Sequence, residues 1–240
     1  MQLFGPVHLL ALIGITFAAV LSSLLCRRRR ALQRLVRLAL GYGLAVNELI
    51  WWAFRYSHEG LRFPVNLPLQ LCDVTLWATV LACITLVPVF IEFAYFAGLT
   101  GSAMAVLTPD LWSPFPSYPA IYFFVAHGGI IVGAATLVFG RIAPLRRSEV
   151  WRAFALLLAY AGVIGAFDKL FGANYMYLCR KPVNASLLDV FGPWPVYLFA
   201  SAAIGLAVFW LLWLPVRPAA TWTRSSSCRP EPEGAKCHGC

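Results

Sequence analysis

The chain has 240 residues, of which 60% are hydrophobic and 12% are charged. In a soluble domain about a quarter of the residues are charged, so this composition excludes an ordinary soluble protein and indicates an integral membrane protein. The formal net charge of +9 is also found in nucleic-acid-binding proteins, but the distribution of the basic residues argues against that class.

Seven stretches of the chain are apolar and long enough to cross a bilayer, which takes roughly 20 residues. In chain order they cover approximately residues 4–26, 38–55, 67–87, 89–108, 118–139, 151–170 and 194–214. The connections between them leave no room for a separate soluble domain. The sequence therefore predicts an all-α fold, in which residues 1–217 form a bundle of seven transmembrane helices.

The basic residues are concentrated in three segments on one side of the predicted membrane. Residues 27–37 connect spans one and two, residues 141–152 connect spans five and six, and the third segment is the C-terminal tail. Lysine and arginine accumulate in the cytoplasmic loops of membrane proteins. The pattern predicts an N-terminus outside and a C-terminus in the cytoplasm, with basic loops that contact anionic lipid rather than nucleic acid.

The tail, residues 218–240, contains Cys228, Cys237, His238 and Cys240. Zinc sites use such residues, but the tail has a single CxxC pair, Cys237 and Cys240, and contains several prolines and serines. A disordered cytoplasmic tail is therefore the favoured interpretation, and we expect neither a metal nor another cofactor.

Polar residues inside four of the predicted spans gather near the outer face of the membrane. They are Asn47, Glu48, Gln70, Cys72, Asp73, His127, Asp168 and Lys169. His127, for example, lies about 13 Å below the outer surface at 1.5 Å per helical residue. Ionisable residues in a membrane usually face a bundle interior or a wet cavity, so this common depth predicts an outward-facing polar pocket.

The segment that joins spans six and seven, residues 171–193, is long for a helical bundle. Loops of this length are usually functional or disordered, and its aromatic residues argue against disorder. We predict that it folds as a lid over the pocket. Four residues of this loop belong to the predicted site: Asn174, Tyr175, Arg180 and Lys181. With Lys169, the two cations of the loop are expected to bind lipid phosphate.

Cys72 and His127 are the candidate catalytic pair. A cysteine is a weak nucleophile until it loses its proton, which a neighbouring histidine can accept. Their similar depth on different helices makes contact possible, although their separation in sequence gives no information about it. Two alternatives for Cys72 are a small buried apolar residue and a disulfide with Cys179 that closes the lid.

Four neighbouring polar residues, Asn47, Glu48, Gln70 and Asp73, have two interpretations. In the first they orient the histidine or hold a substrate headgroup, and Asn47, Gln70 or backbone N–H groups stabilise an oxyanion. In the second they form a polar clasp between helices, as membrane bundles often do. A proton or ion pathway would need ionisable residues across the whole membrane, and their one-sided distribution argues against it.

Three stretches of the sequence resemble a known family. They are LPLQLCD (67–73), FFVAHGG (123–129) and NYMYLCRKPVNASLLDVFGPWPVYL (174–198). In this order they resemble the YwaF-like integral membrane proteins of bacteria, a family related to the eukaryotic acyltransferase transmembrane protein 164. The resemblance implies a multi-pass protein of the bacterial inner membrane. It also implies catalysis by Cys72 and His127, which match that enzyme's Cys and His in type, order and approximate spacing.

The leading hypothesis is an integral membrane enzyme that transfers or hydrolyses a lipid acyl group through a Cys-His pair in the outward-facing pocket. Membrane lipid is the expected partner, and nucleic acid is not. One alternative is a non-catalytic protein that binds or transports a small solute or lipid through the same pocket. Another is a structural membrane protein with polar clasps. The acyl donor, the acceptor and the oligomeric state are not predicted.

Overall fold

The computed structural model describes residues 3–111, 113–182 and 187–216. Throughout these residues the regular structure is helical, and no strand is present. The long helices are α1 (Pro6–Arg28), α2 (Arg30–Glu59), α3 (Leu71–Thr85), α4 (Pro88–Leu107), α5 (Tyr118–Phe139), α6 (Arg147–Phe171) and α7 (Val196–Trp213). The predicted tail, residues 218–240, lies outside the described residues.

Five of these helices are long and apolar enough to cross a membrane: α1, α4, α5, α6, and α7 with its last turn to Val216. The predicted second span lies within α2, whose 30 residues begin with several arginines. The predicted third span corresponds to α3, which has 15 residues and extends about 22 Å, less than the roughly 30 Å of a hydrocarbon core. The prediction of an all-helical membrane protein is confirmed, and the number of spans stays a prediction.

The central helix of the bundle is α5, which contacts α1, α2, α3 and α4. Glycines on α5 allow these neighbours to approach closely, as small residues do between membrane helices. A Cβ atom at Gly133 would lie 2.7 Å from Thr79 Cγ2 of α3, and one at Gly128 would lie 2.8 Å from Ile15 Cγ1 of α1. Larger residues at these positions would force the helices apart.

A π-helical turn, Ala94–Gly98, interrupts α4. A π turn holds an extra residue and rotates the helix that follows it, and such turns are frequent at functional sites. All five of its residues are buried, and a Cβ atom at Gly98 would lie 3.0 Å from Ile130 Cγ2 of α5. After this turn, α4 presents Ser102 and Ala105 to the cavity described below.

The C-terminal half of α3 packs into an apolar core together with α4, α5 and α7. This apolar core includes Ala82, Cys83, Tyr95, Phe96, Leu137 and Phe209. Beside it, Arg152 of α6 donates a hydrogen bond of 2.5 Å from Nε to Oε2 of Glu92 on α4. The Glu92 side chain is 1% exposed, so this ion pair fastens α6 to the bundle.

Candidate functional site

A cavity of about 690 Å³ lies between α2, α3, α4 and α5. Its volume is within the range of pockets that bind small molecules. Five of the predicted site residues line it: Gln70, Cys72, Asp73, His127 and Tyr175. They come from α3, α5 and the loop after α6, so the fold brings together residues that are far apart in the sequence.

Cys72 is the second residue of α3, and its position is fixed by the start of that helix. Gln70 precedes the helix in an extended conformation, with φ −68° and ψ 154°. Asp73 Oδ2 accepts the backbone N–H of Gln70 at 3.0 Å, a capping interaction that stabilises a helix start. Cys72 and Cys179 are both free thiols, so the alternative of a disulfide between them is wrong for this structure.

His127 lies on α5 with 8% of its surface exposed. Its Nδ1 is 2.8 Å from the carbonyl oxygen of Phe123, and because a carbonyl oxygen can only accept, Nδ1 carries a proton. In the neutral ring Nε2 is then the nitrogen that can accept a proton. Nε2 has no hydrogen-bond partner among the described residues, and the imidazole and the Cys72 thiol make no hydrogen bond to each other.

The loop after α6 covers part of the cavity with Tyr175, Met176 and Tyr177. The N–H of Tyr175 donates to Asp168 Oδ1 at 3.0 Å, and the N–H of Met176 donates to Gln70 Oε1 at 3.0 Å. Met176 and Tyr177 both have positive φ, 54° and 56°, a conformation that is strained for residues other than glycine. The loop is therefore held over the cavity by Asp168 of α6 and by Gln70, the residue that precedes α3.

Tyr175 also binds the segment that leads into α3. Its hydroxyl donates to the carbonyl oxygen of Pro64 at 2.5 Å and accepts the N–H of Leu67 at 2.9 Å. Burial raises the pKa of the Tyr175 hydroxyl, which therefore keeps its proton for this hydrogen bond. These contacts agree with the predicted lid as far as the described residues extend.

The TMEM164 family matches residues 3–213 of this chain. The chain belongs to the TMEM164 family. An uncharacterized protein of Treponema pallidum (strain Nichols) is 31% identical over 166 residues, which are 67% of this chain and 66% of that protein. No solved structure matches. Membership confirms the predicted relationship to transmembrane protein 164, while the relationship to YwaF-like proteins stays a prediction.

In this TMEM164 family member, Glu48 lies behind the cavity wall. It is fully buried, and its Oε2 accepts the hydroxyl of Tyr122 at 2.6 Å while its Oε1 accepts Trp52 Nε1 at 2.9 Å. Tyr122 itself lines the cavity and stacks on Trp51, with ring centroids 4.1 Å apart. Glu48 thus has the geometry of a polar clasp between α2 and α5.

Three charged residues that the sequence analysis did not assign to the site also line the cavity: Arg55, Glu59 and Asp110. Arg55 is the only lysine or arginine of the described residues to do so. Its Nη2 lies 3.3 Å from Glu59 Oε2, and its side chain is 23% exposed. Its guanidinium carbon lies 5.4 Å from the ring centroid of Trp52. A partly exposed cation at this position can bind an anionic group.

The other predicted site residues do not line the cavity: Asn47, Glu48, Asp168, Lys169, Asn174, Arg180 and Lys181. Asn174 Oδ1 accepts the N–H groups of Cys179 and Arg180 at 3.1 and 3.0 Å, so it shapes the loop. Lys181 Nζ lies 3.5 Å from Asp189 Oδ1. The structure therefore does not bring the three predicted cations into the cavity.

Within residues 3–111, 113–182 and 187–216, no group of three or more His, Cys, Asp or Glu side chains is close enough to hold a metal ion. The chemical groups that the cavity offers are a thiol, an imidazole, carboxyl groups, a guanidinium group and tyrosine hydroxyls. Such a set is suited to nucleophilic and acid–base chemistry on an amphiphilic ligand.

Proposed function

We propose that this protein is an integral membrane acyltransferase or acyl hydrolase in which Cys72 is the nucleophile and His127 is the general base. The observation that carries the proposal is one cavity lined both by a free thiol and by an imidazole whose Nε2 is available. Membership of the TMEM164 family fits a membrane acyltransferase-related protein.

In the first half of the reaction, Cys72 Sγ bonds to the carbonyl carbon of a lipid ester while its proton passes to His127 Nε2. The π electrons of the carbonyl move to its oxygen. When they return, the bond from carbon to the ester oxygen breaks, and that oxygen takes the proton from His127. The products are an alcohol and a thioester on Cys72.

In the second half, an acceptor hydroxyl gives its proton to His127 and attacks the thioester carbon. The carbon–sulfur bond breaks, and the sulfur takes the proton back from His127. A lipid alcohol as acceptor makes the protein a transferase, and water as acceptor makes it a hydrolase. Both halves use the same two side chains, and neither needs a reactant beyond the lipid ester and the acceptor hydroxyl.

A phospholipid is the acyl donor that the cavity lining fits best. Arg55 would bind its phosphate, a role for which the sequence favoured Lys169, Arg180 and Lys181. The apolar part of the lining would hold the acyl chain next to the thiol. It includes Leu67, Leu71, Leu76, Ala105, Ala126 and Ile130.

We further propose that all seven long helices cross the bacterial inner membrane, with the N-terminus outside and the cavity at the outer face. The arginines of residues 27–37 support this orientation because they lie where α1 ends and α2 begins. Exposed apolar residues such as Leu10, Phe17 and Phe199 support contact of α1 and α7 with lipid.

The test is acyl transfer by purified protein in lipid nanodiscs, with a phospholipid labelled in its acyl chain. Cys72→Ala and His127→Ala are each expected to abolish transfer to lipid and to water. Cys83→Ala is the matched control, since it removes a thiol from the same helix outside the cavity. Transfer at the wild-type rate by Cys72→Ala protein that has inserted normally would disprove the mechanism.

The second candidate is a protein that binds or transports a lipid or solute without reaction. It is favoured by the lack of a hydrogen bond between Cys72 and His127 in this structure. It predicts that Cys72→Ser has almost no effect on ligand binding, whereas substitution of Asp73 weakens it.

A further inference from the structure

The start of α3 presents two backbone N–H donors that no other residue of the described parts of the chain accepts. The N–H of Gln70 donates to Asp73 Oδ2 at 3.0 Å. The N–H groups of Asp73 and Val74 donate to the carbonyl oxygen of Gln70 at 3.1 and 3.3 Å. Among the described residues, the N–H of Leu71 has no hydrogen-bond partner, and the N–H of Cys72 interacts only with the sulfur of its own side chain. The two donors are therefore the N–H of the candidate nucleophile itself and the N–H of the residue before it.

These two donors lie at the cavity, because Leu71 and Cys72 both line it. The first N–H groups of a helix are oriented along its axis and carry the positive end of its dipole, so they bind negative charge. Free donors occur at most helix starts, however. They indicate a ligand site only when a second observation points to the same place. Here that observation is His127, which is 8% exposed and lines the same cavity with Nε2 unpartnered.

We propose that the backbone N–H groups of Leu71 and Cys72 form the oxyanion hole of the acyl reaction, an inference that rests on the proposed function. When Cys72 Sγ bonds to the ester carbon, the carbonyl π electrons move to oxygen, and these two groups donate hydrogen bonds to it. When the bond to the leaving oxygen breaks, the electrons return and the hydrogen bonds weaken. The same donors act again when the thioester is attacked.

The two side chains that the sequence offered for this role are less suitable. Asn47 does not line the cavity. Gln70 does, but its Oε1 accepts the N–H of Met176 at 3.0 Å, which ties the amide to the loop. Backbone donors at the start of a 15-residue helix are fixed before the substrate binds, which is what makes an oxyanion hole effective.

The substitution Leu71→Pro tests the oxyanion hole. Proline has no backbone N–H, so the substitution removes one of the two donors with little change in structure. Leu71 is the first residue of α3, a position that proline favours. Gln70 already has the extended conformation, φ −68° and ψ 154°, that the residue before a proline requires. Leu71→Ala is the matched control, since it removes the same side chain and keeps the N–H.

In nanodiscs, kcat for acyl transfer by Leu71→Pro is expected to be about 10²- to 10³-fold below that of Leu71→Ala, the usual effect of losing one oxyanion donor. Alkylation of Cys72 by iodoacetamide forms no oxyanion and is expected to proceed at the same rate in both variants. Equal kcat values would overturn the inference. A parallel loss of alkylation would overturn it too, because the substitution would then act on the thiol itself.

A measurement on the wild-type protein keeps the inference testable if Leu71→Pro does not fold. A lipid-like trifluoromethyl ketone would add to Cys72, and the ¹⁹F signal of the adduct would be followed against pH. The adduct oxygen is expected to ionise at a lower pH than in a thiol adduct free in water, and ionisation at the same pH would overturn the inference. Failure of the wild-type protein to form any adduct would instead show that the proposed function is wrong.

Discussion

The cavity and the apolar core each hold a cysteine of the same helix, and the two thiols have different surroundings. Cys72, at the start of α3, lines the cavity. Cys83, eleven residues later, is fully buried in the apolar core, where its sulfur would lie 3.6 Å from a Cβ atom at Gly133. Both are cysteines of the same apolar helix, so residue type alone does not tell which thiol is open to a ligand.

Two buried histidines show the same difference. His8 of α1 uses both ring nitrogens: Nε2 lies 2.7 Å from the carbonyl oxygen of Val106, and Nδ1 accepts the N–H of Phe4 at 3.0 Å. Among the described residues, His127 has a hydrogen-bond partner only at Nδ1. A histidine with both nitrogens bound holds the structure together, whereas one with a free nitrogen facing a cavity can exchange a proton with a ligand. His127 therefore differs from His8 in having a ring nitrogen that is available to a ligand in the cavity.

The largest expected effect is on thiol reactivity. A lipid-like electrophile is expected to label Cys72 and to leave Cys83 unlabelled, because only the first is open to a cavity. His127→Gln is expected to slow the labelling of Cys72 by about 10²-fold, the lower end of what a general base contributes. Mass spectrometry of the labelled peptides measures both sites in one sample.

The matched control for that experiment is His8→Gln. It removes a buried imidazole that lies outside the cavity, so it is expected to lower the stability of the protein and to leave the labelling rate of Cys72 unchanged. Labelling that is equally fast with and without His127 would contradict its role as base.

An intermediate effect is expected at the charged side of the cavity, which Arg55, Glu59 and Asp110 line. Arg55→Gln removes the cation proposed to bind phosphate, and KM for a phospholipid donor is expected to rise about tenfold, since a hydrogen bond to a charged group contributes about 1.5–3 kcal/mol. kcat is expected to change little, because this contact is present before and during the reaction.

Two controls separate the headgroup from the rest of the molecule. Arg55→Gln is expected to have no effect on KM for a diacylglycerol donor, which has no phosphate. Lys169→Gln is expected to leave KM unchanged for both donors, because Lys169 does not line the cavity. An effect of Lys169→Gln as large as that of Arg55→Gln would favour the site predicted from the sequence.

The sequence predicted the helices well, because a long apolar run in a membrane has few alternatives to a helix. The predicted spans 89–108 and 194–214 correspond to helices Pro88–Leu107 and Val196–Trp213. Depth, which follows from the constant rise per helical residue, placed Cys72 and His127 at one level, and both line the cavity. Four residues predicted at the same level do not line it, because depth does not tell which face of a helix a residue occupies: Asn47, Glu48, Asp168 and Lys169.

The conformation of the loop and the charged side of the cavity were not predicted from the sequence. Individual hydrogen bonds, such as those that Asn174 accepts, decide which way the loop residues face, and they leave no periodic pattern in the sequence. Asp110 lies between α4 and α5, and no pattern in the sequence indicated that it would line the cavity. Arg55 had one, because it lies on the same face of α2 as Glu48, but without the partner helices that face could not be assigned to the cavity.

The smallest expected effect is on stability, and it compares two tyrosines of α5. Tyr122→Phe removes the donor to Glu48 Oε2 and leaves a buried carboxyl oxygen unpaired, which costs about 1–3 kcal/mol. The hydroxyl of Tyr118, one turn earlier, is buried and has no hydrogen-bond partner among the residues that the structure describes. Tyr118→Phe is therefore expected to change the free energy of unfolding by less than about 0.5 kcal/mol.

Denaturant unfolding in detergent micelles, followed by tryptophan fluorescence, measures both variants under the same conditions. A clear loss of stability in Tyr122→Phe and none in Tyr118→Phe would show that Glu48 acts as a clasp between α2 and α5. If Tyr122→Phe were as stable as the wild type but lost acyl transfer, Glu48 and Tyr122 would belong to the reacting site instead. The comparison thus decides whether Tyr122 and Glu48 belong to the reacting site or only to the structural contact between α2 and α5.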